Sequence, residues 1–174
     1  MTILELIVHS LQILIPAYFA NGAPTLLINL KKHPIDFNKK WFDKRRIFGE
    51  GKTIEGFMIA ISFCFIIGLL ENLIISKMSF NFLKIPNYAF LFIGLGVMIG
   101  DSIGSFIKRR LNLKRGEKAG LIDMIDFVFG AFVSARFFTD FSIFSLIIGL
   151  AITPPIHRAA SIIGYKIKLK KEPW

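Results

Sequence analysis

The stretch GDSIGSFIKRRLNLKRGEKAGLIDMIDF, residues 100–127, decides the fold, because three aspartates and six basic residues here separate two strongly apolar runs. Asp101 lies inside the first run, and Asp123 and Asp126 lie at the start of the second. A carboxylate within a membrane-spanning run costs free energy unless it is paired, hydrated or bound to a cation. The stretch therefore predicts the end of one helix, a basic loop and the start of the next helix, with a polar site between them.

The rest of the chain is as apolar as these two runs. Of its 174 residues 53% are hydrophobic, and its mean hydropathy is +0.58, which is typical of an integral membrane protein. About 20 apolar residues cross a bilayer once. This length predicts a single all-α domain, 1–174, with five transmembrane helices at 3–30, 53–76, 88–107, 121–138 and 141–165. Thr139 and Asp140 would form a tight hairpin between the last two.

The basic residues predict the orientation of these helices. Eighteen of the 22 Lys and Arg residues lie in three segments: 31–52, 108–118 and the end of the chain after Tyr165. Five crossings put all three segments on one side, which the positive-inside rule makes cytoplasmic. We therefore expect an external N-terminus, a cytoplasmic C-terminus and cytoplasmic loops at about 31–52 and 108–120.

Composition also excludes several classes of protein. The net charge of +10 would suit a nucleic-acid binder, but no nucleic-acid-binding motif accompanies it. Cys64 is the only cysteine, so one chain can form neither a disulfide nor a thiolate metal cluster. The N-terminus lacks the features of a cleaved signal peptide. We expect the bilayer as the surroundings, and neither nucleic acid nor an obligate protein partner.

Polar residues of the predicted third and fourth helices suggest a magnesium site. Asp101, Ser105 and Lys108 follow at i, i+4 and i+7, on one helix face. Asp123 and Asp126 share a face at the start of the next helix. Carboxylates without a His/Cys cluster, beside a basic loop, suit Mg²⁺ and a phosphate substrate. A structural salt bridge at Asp101, or simple stabilisation of the helix dipole by the Asp pair, is the alternative.

Small residues and glycines complete the pattern around these aspartates. The row formed by Gly96, Gly100 and Gly104 predicts close packing of another helix.

In DKRRIFGEGKTIEGF, residues 43–57, Lys52 and Thr53 precede a helix start, where free backbone N–H groups can bind phosphate. The spacing is not that of a Walker A loop, and an ordinary helix start with an inside-positive anchor explains it equally well.

Further candidate polar contacts lie in helices that contain prolines. Asn21 is within PAYFANGAP, and His157 is within TPPIHR. Both stretches predict interruptions in their helices. Together with Arg109, these residues would place the polar groups in the cytoplasmic half of the membrane and leave the outer half bland. A transporter should carry polar groups through both halves.

These motifs resemble those of a known enzyme superfamily. Ser105, Lys108, Arg109 and Lys114, followed by the Asp123 and Asp126 pair, resemble the SxxKRxxxxK and DxxD signature of CDP-diacylglycerol synthases. Arg115 and Met124 depart from the bacterial and eukaryotic pattern, and the connection between the two motifs is shorter. The small size and five-helix layout, with PAYFANGAP, FGEGKTIEGF, TPPIHR and the terminal KEPW, resemble the archaeal branch, the CDP-archaeol synthases.

The resemblance implies a Mg²⁺-dependent cytidylyltransferase in the cell membrane, with a site open to the cytoplasm. CTP and 2,3-di-O-geranylgeranylglycerol 1-phosphate would give CDP-archaeol and pyrophosphate. The predicted roles are magnesium binding by Asp101, Asp123 and Asp126, charge stabilisation by Lys52, Lys108 and Arg109, hydrogen bonding by Thr53 and Ser105, and secondary polar contacts by Asn21 and His157. The alternatives are a CDP-diacylglycerol synthase acting on phosphatidic acid and a small cation or phosphate transporter.

Overall fold

The structure of the chain, a computed structural model, describes residues 1–27, 33–113 and 120–168. Within these ranges it consists of helices and loops without a β-strand, as the sequence predicted. The five α-helices are α1 (Ile3–Gly22), α2 (Ile54–Ile75), α3 (Ala89–Arg110), α4 (Ile122–Ala135) and α5 (Ile143–Lys166), and a short 3₁₀ helix, Ala23–Leu27, follows α1.

The first helix is shorter than predicted. The sequence predicted a helix over 3–30, but α1 ends at Gly22 and continues only as the 3₁₀ turn. Pro24 explains the end, because it has no backbone N–H to donate to the helix. The Thr25 hydroxyl donates to the carbonyl of Gly22 at 2.7 Å and satisfies one of the helix's last acceptors. Pro16, in contrast, lies inside α1 without ending it.

The predicted fourth helix, 121–138, and the hairpin at Thr139 and Asp140 are also wrong in their boundaries. Helix α4 ends at Ala135, and α5 begins only after Ser142, whose hydroxyl accepts from the N–H of Phe144. The connection is therefore 136–142, which the serine cap and an Arg136–Asp140 ion pair of 2.8 Å stabilise. At 1.5 Å per residue, α4 is about 21 Å long, less than the hydrocarbon core of a bilayer.

The other helices match the sequence prediction to within about three residues. Four helical segments of the described chain are long and apolar enough to cross a membrane: Ile3–Leu27, Ile54–Ile75, Ala89–Arg110 and Ile143–Lys166. Helix α5 is continuous through Pro154 and Pro155, so the interruption predicted at TPPIHR does not occur. The fold is thus an all-helical, multi-pass membrane bundle.

Helices α3 and α4 form the most closely packed pair, and glycines make this possible. A Cβ atom added at Gly96 would overlap the Gly130 carbonyl, and one added at Gly100 would overlap the Asp126 carbonyl. The predicted packing role of the glycine row is therefore confirmed. Next to this contact, Phe127, Phe132 and the neighbouring apolar residues of α1 and α3 form a continuous buried core.

The opposite end of the bundle is more polar than predicted. His9 Nε2 lies 2.7 Å from the carbonyl of Asn81, and Gln12 exchanges two hydrogen bonds with the backbone of Leu83. Both α1 side chains are buried, and so is Ser10 between them. The expectation of a bland outer half is wrong, because the segment before α3 folds back onto α1 and its backbone needs polar partners.

Candidate functional site

Helix α3 meets the start of α2 through an ion pair between Lys52 and Asp101. The Lys52 ammonium contacts Asp101 Oδ2, and each side chain is less than one-fifth exposed. Lys52 reaches this position because it is the second residue before α2, at the point where the preceding loop turns back onto α3. The sequence predicted both residues for the site, and the structure brings them into direct contact.

A second ion pair joins α3 to α4. The Lys108 ammonium contacts Asp123 Oδ1, with 15% and 30% of the two side chains exposed. Lys108 is two turns after Asp101 on the same face of α3, and buried Ser105 lies between them. The i, i+4, i+7 pattern seen in the sequence therefore corresponds to a real inward face.

Asp126 is one turn further along α4 than Asp123. Its Oδ1 accepts from the N–H of Phe127 at 2.7 Å, whereas its Oδ2 is buried and has no hydrogen-bond partner among the described residues. The charges of Asp101, Lys108 and Lys52 all act on this carboxyl group. We refer to Asp101, Asp123, Asp126, Lys52 and Lys108 together as the carboxylate–lysine cluster.

Gly104 creates the space for the Asp126 side chain. A Cβ atom at position 104 would overlap Asp126 Oδ2 and lie 2.8 Å from its Cγ. The glycine row predicted from the sequence thus has two roles: Gly96 and Gly100 bring the two backbones together, and Gly104 accommodates a carboxylate. The sequence interpretation treated all three glycines as packing and missed this second role.

The donor atoms of the cluster fit a magnesium ion only in part. Among the described residues, no three His, Cys, Asp or Glu side chains are grouped closely enough to hold one metal ion. Mg²⁺, however, is commonly bound by one or two carboxylates together with substrate phosphates and water. Asp126, with its unpartnered buried oxygen, and the neighbouring Asp101 fit that kind of site. Magnesium binding by all three aspartates stays a prediction.

Thr53 begins α2 rather than facing open space. Its side-chain oxygen accepts from the N–H of Gly56 at 3.1 Å, which makes it the N-cap of the helix. Only 3% of the residue is exposed. Such caps stabilise a helix by satisfying one of its free N–H groups. The structure therefore gives Thr53 a structural role, and a hydrogen bond from it to a substrate stays a prediction.

The loop before α2 is organised around Asp36, which the sequence interpretation missed. Its carboxylate accepts from the Arg46 guanidinium at 2.6 Å and from three backbone N–H groups, those of Asn38, Phe48 and Gly49, at 3.1–3.2 Å. Burial alone would raise the pKa of Asp36, but these hydrogen bonds together hold it below its usual range. An aspartate two residues before an asparagine, as in PIDFN, is the one sequence signal for this turn.

This loop is docked on the end of α3 by arginines. Arg45 donates to the carbonyls of Arg109 and Arg110, the last two residues of the helix, at 3.3 and 2.7 Å. Arg110 returns a hydrogen bond of 2.7 Å to the carbonyl of Arg46. The Arg109 side chain lies against Gly49, whose φ of +96° is suited to glycine. The loop that ends in Lys52 is thereby held above the cluster.

The remaining predicted site residues lie on other helices or outside the described chain. Asn21 is half-buried near the end of α1. His157 lies in α5, which packs on α1 and α4 within the described chain rather than on α3. The structure thus does not bring these two into the ion pairs. Lys114, Arg115 and the terminal KEPW lie outside the described residues.

An apolar groove opens between α1 and α2 near the same end of the bundle. It has a volume of 360 Å³ and is lined by Tyr18, Phe19, Gly22, Ala23, Leu26 and Phe63. Pro24, next to the groove lining, lies 3.5 Å from the position of a Cβ added at Gly56, in the first turn of α2. The chain segment that lines the groove thus also contacts the first turn of α2, which Thr53 caps.

Comparison with known proteins finds one family over almost the whole chain. The profile of the CarS-like family, described as CDP-archaeol synthase, matches residues 3–174. The CDP-archaeol synthase of Pyrobaculum aerophilum is 39% identical over 160 residues, covering 91% of this chain and 93% of that protein. The CDP-archaeol synthase of Pyrococcus abyssi is 40% identical over 161 residues, covering 92% and 94%.

A solved structure shares the fold as well. It is described as an intramembrane enzyme for archaeal membrane lipids biosynthesis, and it superimposes with a TM-score of 0.77 at 30% sequence identity. The match covers 90% of this chain and 94% of the other. Sequence and fold thus agree over the helices that carry the cluster.

Proposed function

The chain belongs to the CarS-like family of CDP-archaeol synthases, and from this premise we propose that the carboxylate–lysine cluster is where its reaction takes place. The enzyme transfers the CMP moiety of CTP to the phosphate of 2,3-di-O-geranylgeranylglycerol 1-phosphate and releases pyrophosphate. The observation that carries the proposal is the convergence of α2, α3 and α4 on three carboxylates and two ammonium groups at one end of the bundle.

We propose five crossings, with the N-terminus outside and the cluster at the cytoplasmic side. The support is the distribution of Lys and Arg, of which 18 of 22 lie in 31–52, in 108–118 and after Tyr165. Five crossings place these three segments on the same side of the membrane. Helix α4 would complete its crossing with the turn that follows it, since Phe137 and Phe138 continue its apolar surface. CTP would then reach the cluster from the cytosol.

The reaction requires that the two substrates are positioned and that the negative charge of their phosphates is neutralised. An oxygen of the lipid phosphate forms a bond to the α-phosphorus of CTP, and the bond from that phosphorus to the oxygen between the α- and β-phosphorus atoms breaks, so that this oxygen leaves with the pyrophosphate. The nucleophile, a phosphate monoester, is already ionised at neutral pH, so the site needs no general base. Lys52, Lys108 and Arg109 would stabilise the negative charge on the nucleotide.

In the proposed reaction, the lysines that pair with aspartates in the free protein exchange these partners for phosphate groups of the nucleotide. Two ammonium groups and two carboxylates balance each other at Lys52–Asp101 and Lys108–Asp123. A triphosphate would offer the lysines a partner of higher charge, and the released carboxylates would need a cation. Asp101 and Asp126, with Asp123 beside them, would hold Mg²⁺, which neutralises phosphate charge when it is bound. Ser105 would contribute a hydrogen bond from the same face of α3.

The groove between α1 and α2 is our candidate for an isoprenoid chain of the lipid substrate. Its lining is apolar, and Pro24, between the lining residues Ala23 and Leu26, lies beside the first turn of α2. A lipid lying there would place its phosphate close to the start of α2. Asn21, near the groove end of α1, and His157 stay candidates for secondary polar contacts with the substrate.

Turnover by the purified full-length protein tests the proposal. The protein is incubated with CTP, MgCl₂ and either 2,3-di-O-geranylgeranylglycerol 1-phosphate or phosphatidic acid, and CDP-lipid and pyrophosphate are measured. We expect both products in equal amounts with the isoprenoid substrate. Formation of CDP-lipid only from phosphatidic acid would replace the substrate assignment, and ion flux in liposomes without either product would overturn the enzyme assignment.

Magnesium binding is tested separately from turnover. Added MgCl₂ together with CTP should raise the melting temperature of the wild-type protein more than CTP with EDTA does. The same comparison on the Asp126→Asn variant should show little difference. Equal stabilisation of the variant by Mg²⁺ would remove Asp126 from the magnesium site.

A further inference from the structure

The loop before α2 carries a second surface that the cluster does not use. Residues 37–44, which we call the aromatic segment, expose Phe42 by 93%, Phe37 by 69% and Trp41 by 44%. Exposed lysines at positions 39, 40 and 44 alternate with these rings. Three large apolar rings in eight residues are far more than a water-facing loop needs.

The aromatic segment is held in an ordered shape. Lys40 and Arg46 pair across a short hairpin, and the N–H of Trp41 donates to the carbonyl of Arg45 at 2.7 Å. Below this hairpin, the four hydrogen bonds to Asp36 and the Arg45 contacts with α3 fix its base. The exposed rings are therefore displayed by a rigid support rather than by a loose chain.

The backbone adopts unfavourable conformations in presenting these side chains. Phe37, Asn38 and Lys44 have positive φ angles of 46°, 61° and 62°. A bulky residue such as Phe rarely adopts this left-handed region, and strain of this kind persists where the surrounding structure imposes it. At Phe37 the result is a ring that is directed outward and is 69% exposed.

The position of the aromatic segment is level with the end of a lipid-facing helix surface. The Trp41 ring packs edge-on against Phe106 of α3, with 5.4 Å between ring centroids. On the same last turns of α3, Ile103, Ile107 and Leu111 remain exposed, as expected of side chains that face lipid. Trp41 therefore packs beside the end of this exposed apolar surface, and tryptophans of membrane proteins concentrate at the depth where the hydrocarbon ends.

The charge of the segment indicates the kind of surface that covers it. In the described part of the chain Lys39, Lys40 and Lys44 form no ion pair, whereas the one acidic residue among them, Asp43, is bound to Arg110 at 3.0 Å. The free charge is therefore positive. Basic side chains interleaved with aromatic rings at the membrane surface match a leaflet of anionic lipids.

From these observations we propose that the aromatic segment is an interfacial anchor that binds the surface of an anionic lipid leaflet. Phe37, Trp41 and Phe42 enter the headgroup region, and the three lysines contact lipid phosphates. The anchor would hold the loop that ends in Lys52 at the level of the membrane surface. This surface is made of other residues than the cluster, since 37–44 includes none of the five cluster side chains.

Tryptophan fluorescence in reconstituted protein tests the anchor. The sequence has two tryptophans, Trp41 and Trp174, so Trp41→Phe and Trp174→Phe together with Phe42→Trp give a single reporter at the most exposed position. The full-length variant is placed in vesicles of phosphatidylcholine alone or mixed with phosphatidylglycerol. Brominated lipid and aqueous iodide are the quenchers. Ile103→Trp combined with Trp41→Phe and Trp174→Phe, with Phe42 retained, is the lipid-exposed control. Free N-acetyltryptophanamide is the aqueous control.

We expect bromolipid to quench the reporter at position 42 and iodide to quench it much less than the free indole. In vesicles that contain phosphatidylglycerol, emission should shift further to the blue, and Lys→Gln substitution at positions 39, 40 and 44 should abolish that shift. Iodide quenching equal to that of the free indole would overturn the anchor. Protection from iodide without bromolipid quenching would indicate a protein partner instead, and an equal emission in both vesicle types would overturn the preference for anionic lipid.

Discussion

Gly104 of α3 lies directly beneath the carboxyl group of Asp126 in α4, so closely that a Cβ atom at position 104 would be 2.8 Å from Asp126 Cγ. The carboxylate is therefore held in a pocket between two helix backbones, with Oδ2 buried and unpartnered among the described residues. The absence of a side chain at Gly104 thus allows the Asp126 carboxyl group to lie between α3 and α4.

Replacing Gly104 by alanine should displace Asp126. We expect a loss of about 1–3 kcal/mol in unfolding free energy from overpacking and a marked loss of turnover. The control is Gly22→Ala at the end of α1, where an added Cβ meets nothing within 4 Å and stability should change by less than about 1 kcal/mol. Thermal unfolding in detergent compares the stability of the two variants, and CDP-lipid formation measures the turnover of Gly104→Ala against the wild type. A Gly104→Ala enzyme as stable and active as the wild type would contradict the packing described above.

Asp126→Asn keeps the shape of the side chain and removes its charge. Turnover should fall by at least about 100-fold, the scale of losing one electrostatic contact in an active site. The melting temperature should not fall, because the variant no longer buries an unpartnered charged oxygen. Asp140→Asn is the matched control, since that carboxylate is 95% exposed and pairs with Arg136 at the other end of the bundle. Full activity of the Asp126 variant would exclude it from the reaction.

The Lys52–Asp101 pair should contribute more to stability than a surface pair does. A double-mutant cycle with Lys52→Met and Asp101→Asn, followed by denaturant unfolding, should give a coupling energy of roughly 1–3 kcal/mol. The same cycle on Arg136 and Asp140, whose side chains are 58% and 95% exposed, should give less than about 1 kcal/mol. Equal coupling energies would mean that burial does not strengthen the pair at the cluster.

Substitutions at Thr53 separate helix capping from substrate contact. Thr53→Ala should cost about 0.5–2 kcal/mol of stability, whereas serine and asparagine keep a capping oxygen and should cost much less. Because the side-chain oxygen already accepts from Gly56, we expect the asparagine variant to keep most of its turnover. A stable asparagine variant with a strongly raised KM for CTP would instead support a hydrogen bond from the hydroxyl group to the nucleotide.

Asp36 should make the stability of the loop depend on acid pH. Its pKa in the folded protein is lowered, so as pH falls the unfolded chain takes up this proton first. The stabilisation is complete above the unfolded pKa, about 3.9, and is lost as pH falls through the lower folded value. Asp36→Asn should therefore be less stable than the wild type at neutral pH, and the difference should shrink towards acid. Unfolding midpoints across this range measure it, and a pH-independent difference would contradict the linkage.

Much of the helix architecture could be predicted from the sequence. Runs of apolar residues predicted five helices, and three of them were correct to within about three residues because long apolar segments can satisfy their backbone only as helices in a membrane. The end of helix one was wrong, since Pro24 acts locally and hydropathy does not detect it. The end of helix four was also wrong, because the apolar run continues through Phe138 although the helix stops at Ala135. The polar end formed by His9 and Gln12 was missed, because its partners are backbone groups about 70 residues away.

The candidate site was predictable in its members but not in its pairing. The sequence by itself determined that Asp101, Lys108, Asp123 and Asp126 lie at one end of the bundle, because helical periodicity and the basic loops define faces and sides. Only the tertiary structure decided that Lys52 pairs with Asp101, that Gly104 accommodates Asp126 and that Asp36 supports the loop between them. These relationships depend on how closely the helices approach each other and on the positions of backbone N–H groups, which cannot be read from residue types. The same packing leaves the aromatic segment exposed beside the end of α3.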